Sequence, residues 1–384
     1  MIKTNTILKI ILQYIIMSRI NISNIETNDD IITFTAGDIN ISLANAVRRT
    51  IISNIPTVVF KTMPYEDCKV NIIDNTTRLN NEILKHRLSC IPIHITNLDF
   101  PIEDYIVELD VTNETDSTLL VTTEYFKIKN IKTDKYLVKQ EVEKIFPANK
   151  TVGEYILFCR LRPRLSNDLP GEKIKFESKL TIGTSIENSA FNVVSACAYG
   201  FTPDNIKGQE AWKQRENKLK DSGNSAEDIE FERRNWFLHN AKRITKPDSF
   251  DYTIETIGIY DNVTLVKKAC DILINKFQDY IEKSDKGDIE IRIGSTVNKT
   301  YDIILKDESY TIGKCIEYIF HNKYYKERDI INYVGFNKLH PHDDYSIIRV
   351  CFHNVEIENK DIYLLIKGAC ELLIEDFTKF KSFF

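Results

Sequence analysis

The amino-acid sequence predicts an α+β protein. Two related α+β modules are expected in one chain, packed about a pseudo-twofold axis as an intramolecular dimer, with a mostly β domain inserted in the first. Three observations predict this. The composition is that of a globular protein, 42% hydrophobic, 28% charged and 10% aromatic over 384 residues, which excludes disordered and collagenous chains. VKKACDILINKF (266–277) and IKGACELLIEDF (366–377) share six of twelve positions, among them Ala269/Ala369, Cys270/Cys370, Leu273/Leu373 and Phe277/Phe377. Between the earlier helix of the first copy and its long helix lies a stretch rich in strand-forming residues that the second copy lacks.

The elements follow in chain order. Residues 1–18 are expected as an N-terminal extension. ILKIILQYII (7–16) is apolar, but Lys9 and Gln13 interrupt it, it is too short to span a bilayer, and Met17 stands as an alternative start. DIITFTA (30–36) has the β-rich pattern of a strand and leads into SLANAVRRTII (42–52). There Leu43, Val47 and Ile51 recur at helical spacing, behind Ser42 as the expected N-cap. The second copy repeats the order: TYDIILK (300–306), then TIGKCIEYIF (311–320), with Thr311 as expected N-cap and Ile312, Ile316 and Phe320 on one face. The first copy is far longer between its paired helices, from Ser42 to Ala269 against Thr311 to Ala369.

The division expected is therefore 19–59 and 176–283 for the first module, 60–175 for the inserted domain and 284–384 for the second module. Within the insert, DYIVELDVT and STLLVTTEYFKI are strand-like, and GEKIKFESKLTIGTS (171–185) is expected to return to the first module. Residues 204–247 mix acids and bases closely, with a break at GNS (223–225), and are expected as solvated helix and loop. A module of about 60 residues has a marginal core, so each apolar helix face needs a partner, and the two copies supply each other's. The expected dimer core is Leu43, Val47, Ile51, Ala269, Leu273 and Phe277 against Ile312, Ile316, Phe320, Ala369, Leu373 and Phe377.

Several chemistries have no motif. There is no Gly-x-Gly-x-x-Gly, P-loop or Gly-x-Ser-x-Gly, and no two aspartates stand two residues apart as in a polymerase metal site. The eight cysteines form no Cys-x-x-Cys clip and no secreted-domain framework, which points to a reducing compartment. His340-x-His342 with Cys351-x-His353 is the nearest approach to a metal site, and structural roles are expected for all four. A net charge of −5 argues against a chain whose main task is coating nucleic acid. The excess of Ile, Asn and Lys (56, 31 and 36) over Ala, Gly and Arg (12, 13 and 15) matches A/T-rich codons.

SLANAVRRTIISNIPTV (42–58) resembles the helix motif of the alpha-like assembly subunits of multisubunit DNA-dependent RNA polymerases, and NNEILKHRLSCIPI (80–93) resembles the motif that follows it. The likeness resumes at TIGTSIENSAFNVVSACAYGFTPD (181–204) and FDYTIETIGIYDNVTLVKKACDILINKF (250–277). ESYTIGKCIEYIF (308–320) and VGFNKLHPHDDYSIIRV (334–350) are similar to the smaller partner, the eleventh subunit or archaeal L, whereas the first module is similar to the third-largest subunit, archaeal D or bacterial alpha.

The resemblance implies a non-catalytic scaffold that nucleates assembly of the largest and second-largest subunits, with small subunits resembling the tenth and twelfth as further partners. DNA and RNA are then contacted only indirectly, and no membrane is involved. It implies no cofactor in this chain, the catalytic magnesium belonging to the largest subunit. Subunit-interface residues carried over are Arg48 and Arg49, where alpha-like subunits engage the second-largest subunit, and His86 and Arg87 of the following motif. Partners that are normally separate chains are joined here, as in large DNA viruses of eukaryotes, which implies a virion and host-cytoplasm location. The zinc-loop cysteines of the eukaryotic third subunit and the iron–sulfur insert of some archaeal relatives have no counterpart. Two other functions compete: a nucleic-acid-binding module, which a basic and aromatic face would favour, and an unrelated α+β enzyme, which a cluster of perturbed acids would favour.

Overall fold

A computed structural model describes residues 20–164, 166, 170–294, 299–353 and 357–384; the N-terminal extension 1–18 and Met17 lie outside the described residues. The protein is mixed α+β, with 17 strands and eight α-helices among those residues. It divides into two compact units. One takes residues up to Thr50, Ala196–Ile254 and Val266–Phe384, the other Ile51–Ser195 and Glu255–Leu265. Among the described residues no helix is long and apolar enough to cross a membrane.

The first unit holds two four-stranded sheets built to one plan. In one, β1 (Asn21–Asn28) and β2 (Ile31–Gly37) form a hairpin, and the strand order is β1-β2-β13-β12, with β12 spanning Val194–Pro203 and β13 Thr245–Thr256. In the other, β14 (Ile291–Ile293), β15 (Thr300–Lys306), β16 (Ile331–Asn337) and β17 (Tyr345–Phe352) stand in the order β14-β15-β17-β16. After the hairpin each copy enters a helix, α1 (Ile41–Ser53) or α7 (Tyr310–Ile319), and after the last strand a long one, α6 (Asn262–Lys286) or α8 (Asn359–Lys381). Between β12 and β13 the first copy carries α4 (Asn205–Asp221) and α5 (Ala226–Asn235), separated by a break at Ser222–Ser225.

The helix starts correct the sequence reading. Asn40 Oδ1, not Ser42, accepts the backbone N–H at the start of α1, from Ser42 N at 2.8 Å. Ser309 precedes α7, which places Thr311 inside the helix. Asparagine ranks with serine as a cap, so residue type alone does not separate Asn40 from Ser42. Gly287, at φ +74°, follows the last residue of α6, a left-handed position that glycine occupies without steric cost.

The second unit is the mostly β one. Its five-stranded sheet runs β4-β10-β5-β7-β8, from β4 (Val70–Asn75), β10 (Lys173–Lys179), β5 (Tyr105–Thr112), β7 (Lys127–Asn130) and β8 (Lys135–Tyr136). Two short pairs accompany it: β3 (Thr57–Val59) with β11 (Thr181–Gly183), and β6 (Leu119–Thr122) with β9 (Leu157–Leu161). Helices α2 (Asn81–Ser89) and α3 (Lys139–Ile145) complete it. Phe60, Phe126, Phe146, Phe158 and Phe176 interlock in its core, mostly edge to face. Within 171–185 the structure separates two strands: β11 pairs with β3 at 57–59, whereas β10 joins the five-stranded sheet of this unit. Strand β10 pairs with β4 and β5 throughout, because alternate Ile174, Phe176 and Ser178 are buried in this unit.

Candidate functional site

Helix α1 is amphipathic in the strict sense. Leu43, Ala44, Ala46, Val47, Thr50 and Ile51 are buried, whereas Asn45, Arg48 and Arg49 are half-buried on the other side. Arg48 donates from Nε and Nη2 to Asn45 Oδ1, at 3.0 and 2.9 Å, so its guanidinium is aligned from within the helix. Its charge faces β12, where burial pushes the Cys197 thiol up to about 12 and raises the Tyr199 phenol while Arg48 pulls both down. A buried tyrosine holds the helix from beneath: Tyr252 on β13 donates to the Ala44 carbonyl at 2.6 Å and stacks on Phe34 of β2 at 4.7 Å. No sequence motif singles out Tyr252, although its alternation with Phe250 and Ile254 marks it as inward-facing.

His86 and Arg87 are exposed in the last turn of α2, a helix capped by Asn80 and anchored by buried Leu84 and Leu88. The Arg87 guanidinium forks onto two consecutive carbonyls of β9, Phe158 O at 2.6 Å from Nε and Leu157 O at 2.7 Å from Nη2. These donors are used inside the unit, which ties α2 to β9. Arg48 and Arg49 belong to the first unit, His86 and Arg87 to the second.

All twelve residues expected in the dimer core are buried to 1% exposure or less. Ile51 is the first residue of the second unit; the other eleven lie in the first. There the two copies touch through equivalent residues: Phe277 of α6 and Phe377 of α8 stack nearly parallel, at 5.9 Å and 8°. Around them, Cys315 Sγ of α7 lies 3.7 Å from the Ser42 carbonyl of α1, and Phe34 meets Phe380 and Phe384 edge-on. Ion pairs ring the contact, Lys381 to Asp271 at 2.6 Å and Lys367 to Asp285 at 2.8 Å. Lys276 to Glu308, at 2.8 Å, lies deeper, and burial raises the Glu308 carboxyl above the usual carboxylate range while Lys276 pulls it down.

The histidine–cysteine positions do not gather. His340 and His342 are exposed in a turn, Cys351 is half-buried on β17, and His353 Nε2 pairs with Asp329 Oδ1 at 3.0 Å. Among the described residues no group of three or more His, Cys, Asp or Glu side chains is arranged to hold a metal ion.

Comparison with known proteins identifies the family of residues 33–277. The family described as RNA polymerase Rpb3/Rpb11 dimerisation domain matches residues 33–277, from β2 into α6. A relative named DNA-directed RNA polymerases I and III subunit rpac1, from Dictyostelium discoideum, is 28% identical over 300 residues, covering 67% of this chain and 79% of the relative. The DNA-directed RNA polymerase subunit Rpo3 of Pyrococcus furiosus is 23% identical over 285 residues, 70% of this chain and 99% of its own. That of Methanosphaera stadtmanae is 26% identical over 185 residues, covering 48% of this chain and 62% of the relative. The chain belongs to the RNA polymerase Rpb3/Rpb11 dimerisation domain family.

Proposed function

We propose that this chain is an assembly subunit of a DNA-directed RNA polymerase, one that carries both halves of the alpha-like dimer and holds the two largest subunits together. One observation carries the reading. A chain whose residues 33–277 belong to a dimerisation family has a second four-stranded unit of the same strand order packed against its long helix through Phe277 and Phe377. A closed twofold brings equivalent residues together, and a stacked pair of repeat-equivalent phenylalanines is what such an axis produces. In this reading the first module plays the third-subunit role and the second the eleventh-subunit role, both supplied by one polypeptide.

Arg48 and Arg49 then form the contact with the second-largest subunit. Arginine suits such a place because its planar fork of donors keeps its charge when desolvated and loses little freedom on docking. His86 is the accessible member of the second motif, whereas Arg87 supports it by anchoring α2 to β9. The chain carries no catalytic role of its own, the magnesium chemistry residing in the largest subunit, and nucleic acid is reached only through the assembled enzyme.

Co-expression with the two largest subunits tests this. The wild-type chain is expected to co-purify with both, and Arg48→Ala with Arg49→Ala to lose the second-largest subunit while keeping an unchanged unfolding midpoint. Full assembly by that double variant would remove the arginines from the interface. Assembly of the large subunits without this chain would remove the scaffold role.

A further inference from the structure

Each four-stranded sheet of the first unit ends in two edge strands, and an edge strand presents a row of backbone N–H and C=O groups that can template pairing with another chain. Among the described residues, three of the four edges carry a device against this. The register of β1 shifts between Ser23 and Glu26, where Asn24 takes φ +53°, and β14 spans only Ile291–Ile293. β16 has a register shift between Ile331 and Tyr333, and its Phe336 N–H donates to Glu317 Oε1 of α7 at 3.3 Å. The fourth edge, β12, is ten residues long, contains no charged residue and has its proline only at its last position. Ala196, Ala198, Gly200 and Phe201 on it are exposed, and a Cβ on Gly200 would meet nothing within 4 Å.

β12 and β16 hold the same place in the two copies, and Gly335-Phe336 of β16 repeats as Gly200-Phe201 in β12. Two differences in the helices change how each copy treats this place. Gly313 of α7 leaves room for the Phe336 ring, which a Cβ there would strike; α1 has Ala44 at that position, and Phe201 is 43% exposed. Glu317 of α7 accepts the Phe336 N–H, whereas α1 has Arg48, a guanidinium that donates and cannot accept. Asn45 holds that guanidinium in place, and its charge acts on Cys197 and Tyr199 of β12. The second copy closes its edge from within. The first sets a positive charge where the acceptor would stand.

A strand docked on β12 brings donors and acceptors from its own backbone, and a guanidinium beside that edge favours a strand that also brings a carboxylate. We infer that β12 receives, along Ala196–Thr202, an extended segment of the second-largest subunit, which adds to the sheet as a fifth strand and sets an Asp or Glu side chain against Arg48. The inference rests on the assembly reading and deepens it, because it names the form in which the partner meets Arg48.

Hydrogen exchange at single-residue resolution tests it, on the full chain alone and on the complex co-expressed with the two largest subunits. Alternate amides of Ala196–Thr202, Phe201 among them, are expected to exchange at least about tenfold more slowly in the complex, whereas those between them are held by β13 in both states. Uniform slowing or none, in a complex that has assembled, would overturn the added strand and leave the assembly reading standing. Failure of the wild-type chain to assemble would overturn both. A second test moves the device of the second copy into the first: Asn45→Lys with Arg48→Glu copies the Lys314–Glu317 pair onto α1. That variant is expected to slow the Phe201 amide in the free chain and to recover less than about a tenth of the second-largest subunit, at an unchanged unfolding midpoint. Full recovery would overturn the carboxylate opposite Arg48, and an unchanged Phe201 amide would overturn the equivalence of the two edges.

Discussion

The two α+β copies in this chain share strand order, helix placement and the buried side of each helix, yet they differ wherever the helix looks away from the core. Leu43, Val47 and Ile51 on α1 correspond without gaps to Ile312, Ile316 and Phe320 on and just beyond α7, all buried. The outward pair has the opposite polarity. Arg48 is held by Asn45 in α1, whereas at the same two places Glu317 is held by Lys314 in α7, at 2.6 Å. Glu317 also accepts from the backbone N–H of Phe336 on β16 at 3.3 Å, so the second copy turns this face toward its own sheet. Burial permits few side chains and therefore preserves a pattern; a face that is not buried is free to differ, turned to a strand in one copy and left half-buried in the other.

The largest test of this likeness is where the two long helices meet, at Phe277 and Phe377. Phe277→Ala and Phe377→Ala are each expected to cost about 3–5 kcal/mol in urea unfolding, and nearly the same as one another if the copies are equivalent. The double variant is expected to cost less than the sum by about 0.5–1.5 kcal/mol, the worth of the stacked pair. A cost confined to one of the two phenylalanines would break the equivalence.

The next test exploits a residue that differs on the buried side. Ala44 of α1 aligns with Gly313 of α7. A Cβ on Gly313 would stand 1.9 Å from Cε2 of Phe336, whereas Ala44 is fully buried with its carbonyl accepting from Tyr252. Gly313→Ala is therefore expected to lower stability by about 1–3 kcal/mol although alanine favours helix. Ala44→Gly is expected to lower it by about 1 kcal/mol for the opposite reason. Thermal unfolding of the two variants side by side checks both; a stabilising Gly313→Ala would mean that Phe336 swings aside freely.

Lys276→Met sharpens the comparison through pH. It leaves the Glu308 carboxylate buried without its cation, which raises that carboxyl further. A group whose folded-state pKa is raised binds a proton more readily when folded, so the penalty is complete above the folded-state pKa. It shrinks as pH falls through the folded-state pKa toward the ordinary carboxylate range. Because Lys276 is 37% exposed, about 1–2 kcal/mol is expected at pH 7, with a smaller loss near pH 5. An equal loss at both values would show that Glu308 does not titrate between them.

The smallest expected effects lie on the outward pairs. Arg48→Ala and Lys314→Ala are each expected to change folding stability by about 0.5 kcal/mol or less, the size of a pair one turn apart on a helix. Denaturant midpoints that move by much more for Arg48→Ala would make that arginine a structural residue.

Periodicity makes both long helices, the strands at 31–37 and 300–306, and the buried side of α1 legible in the sequence, because each depends on residues close in the chain facing one interior. It also carries the repeat, since equivalent environments select similar side chains in both copies. Choices between partners of equal local merit lie beyond it. Asn40 and Ser42 are both capping residues, and only the backbone path selects Asn40. Strand β10 is β-rich whichever sheet receives it, and pairing with β4 and β5 decides the matter. Arg87 has the look of a docking residue, yet its fork reaches two carbonyls about seventy positions away. The sequence by itself determined which faces must be hidden, because hydrophobic burial is non-directional and is written locally. The tertiary structure alone decided what each face and each polar group meets, because hydrogen bonds and ion pairs are directional and their partners come from distant parts of the chain.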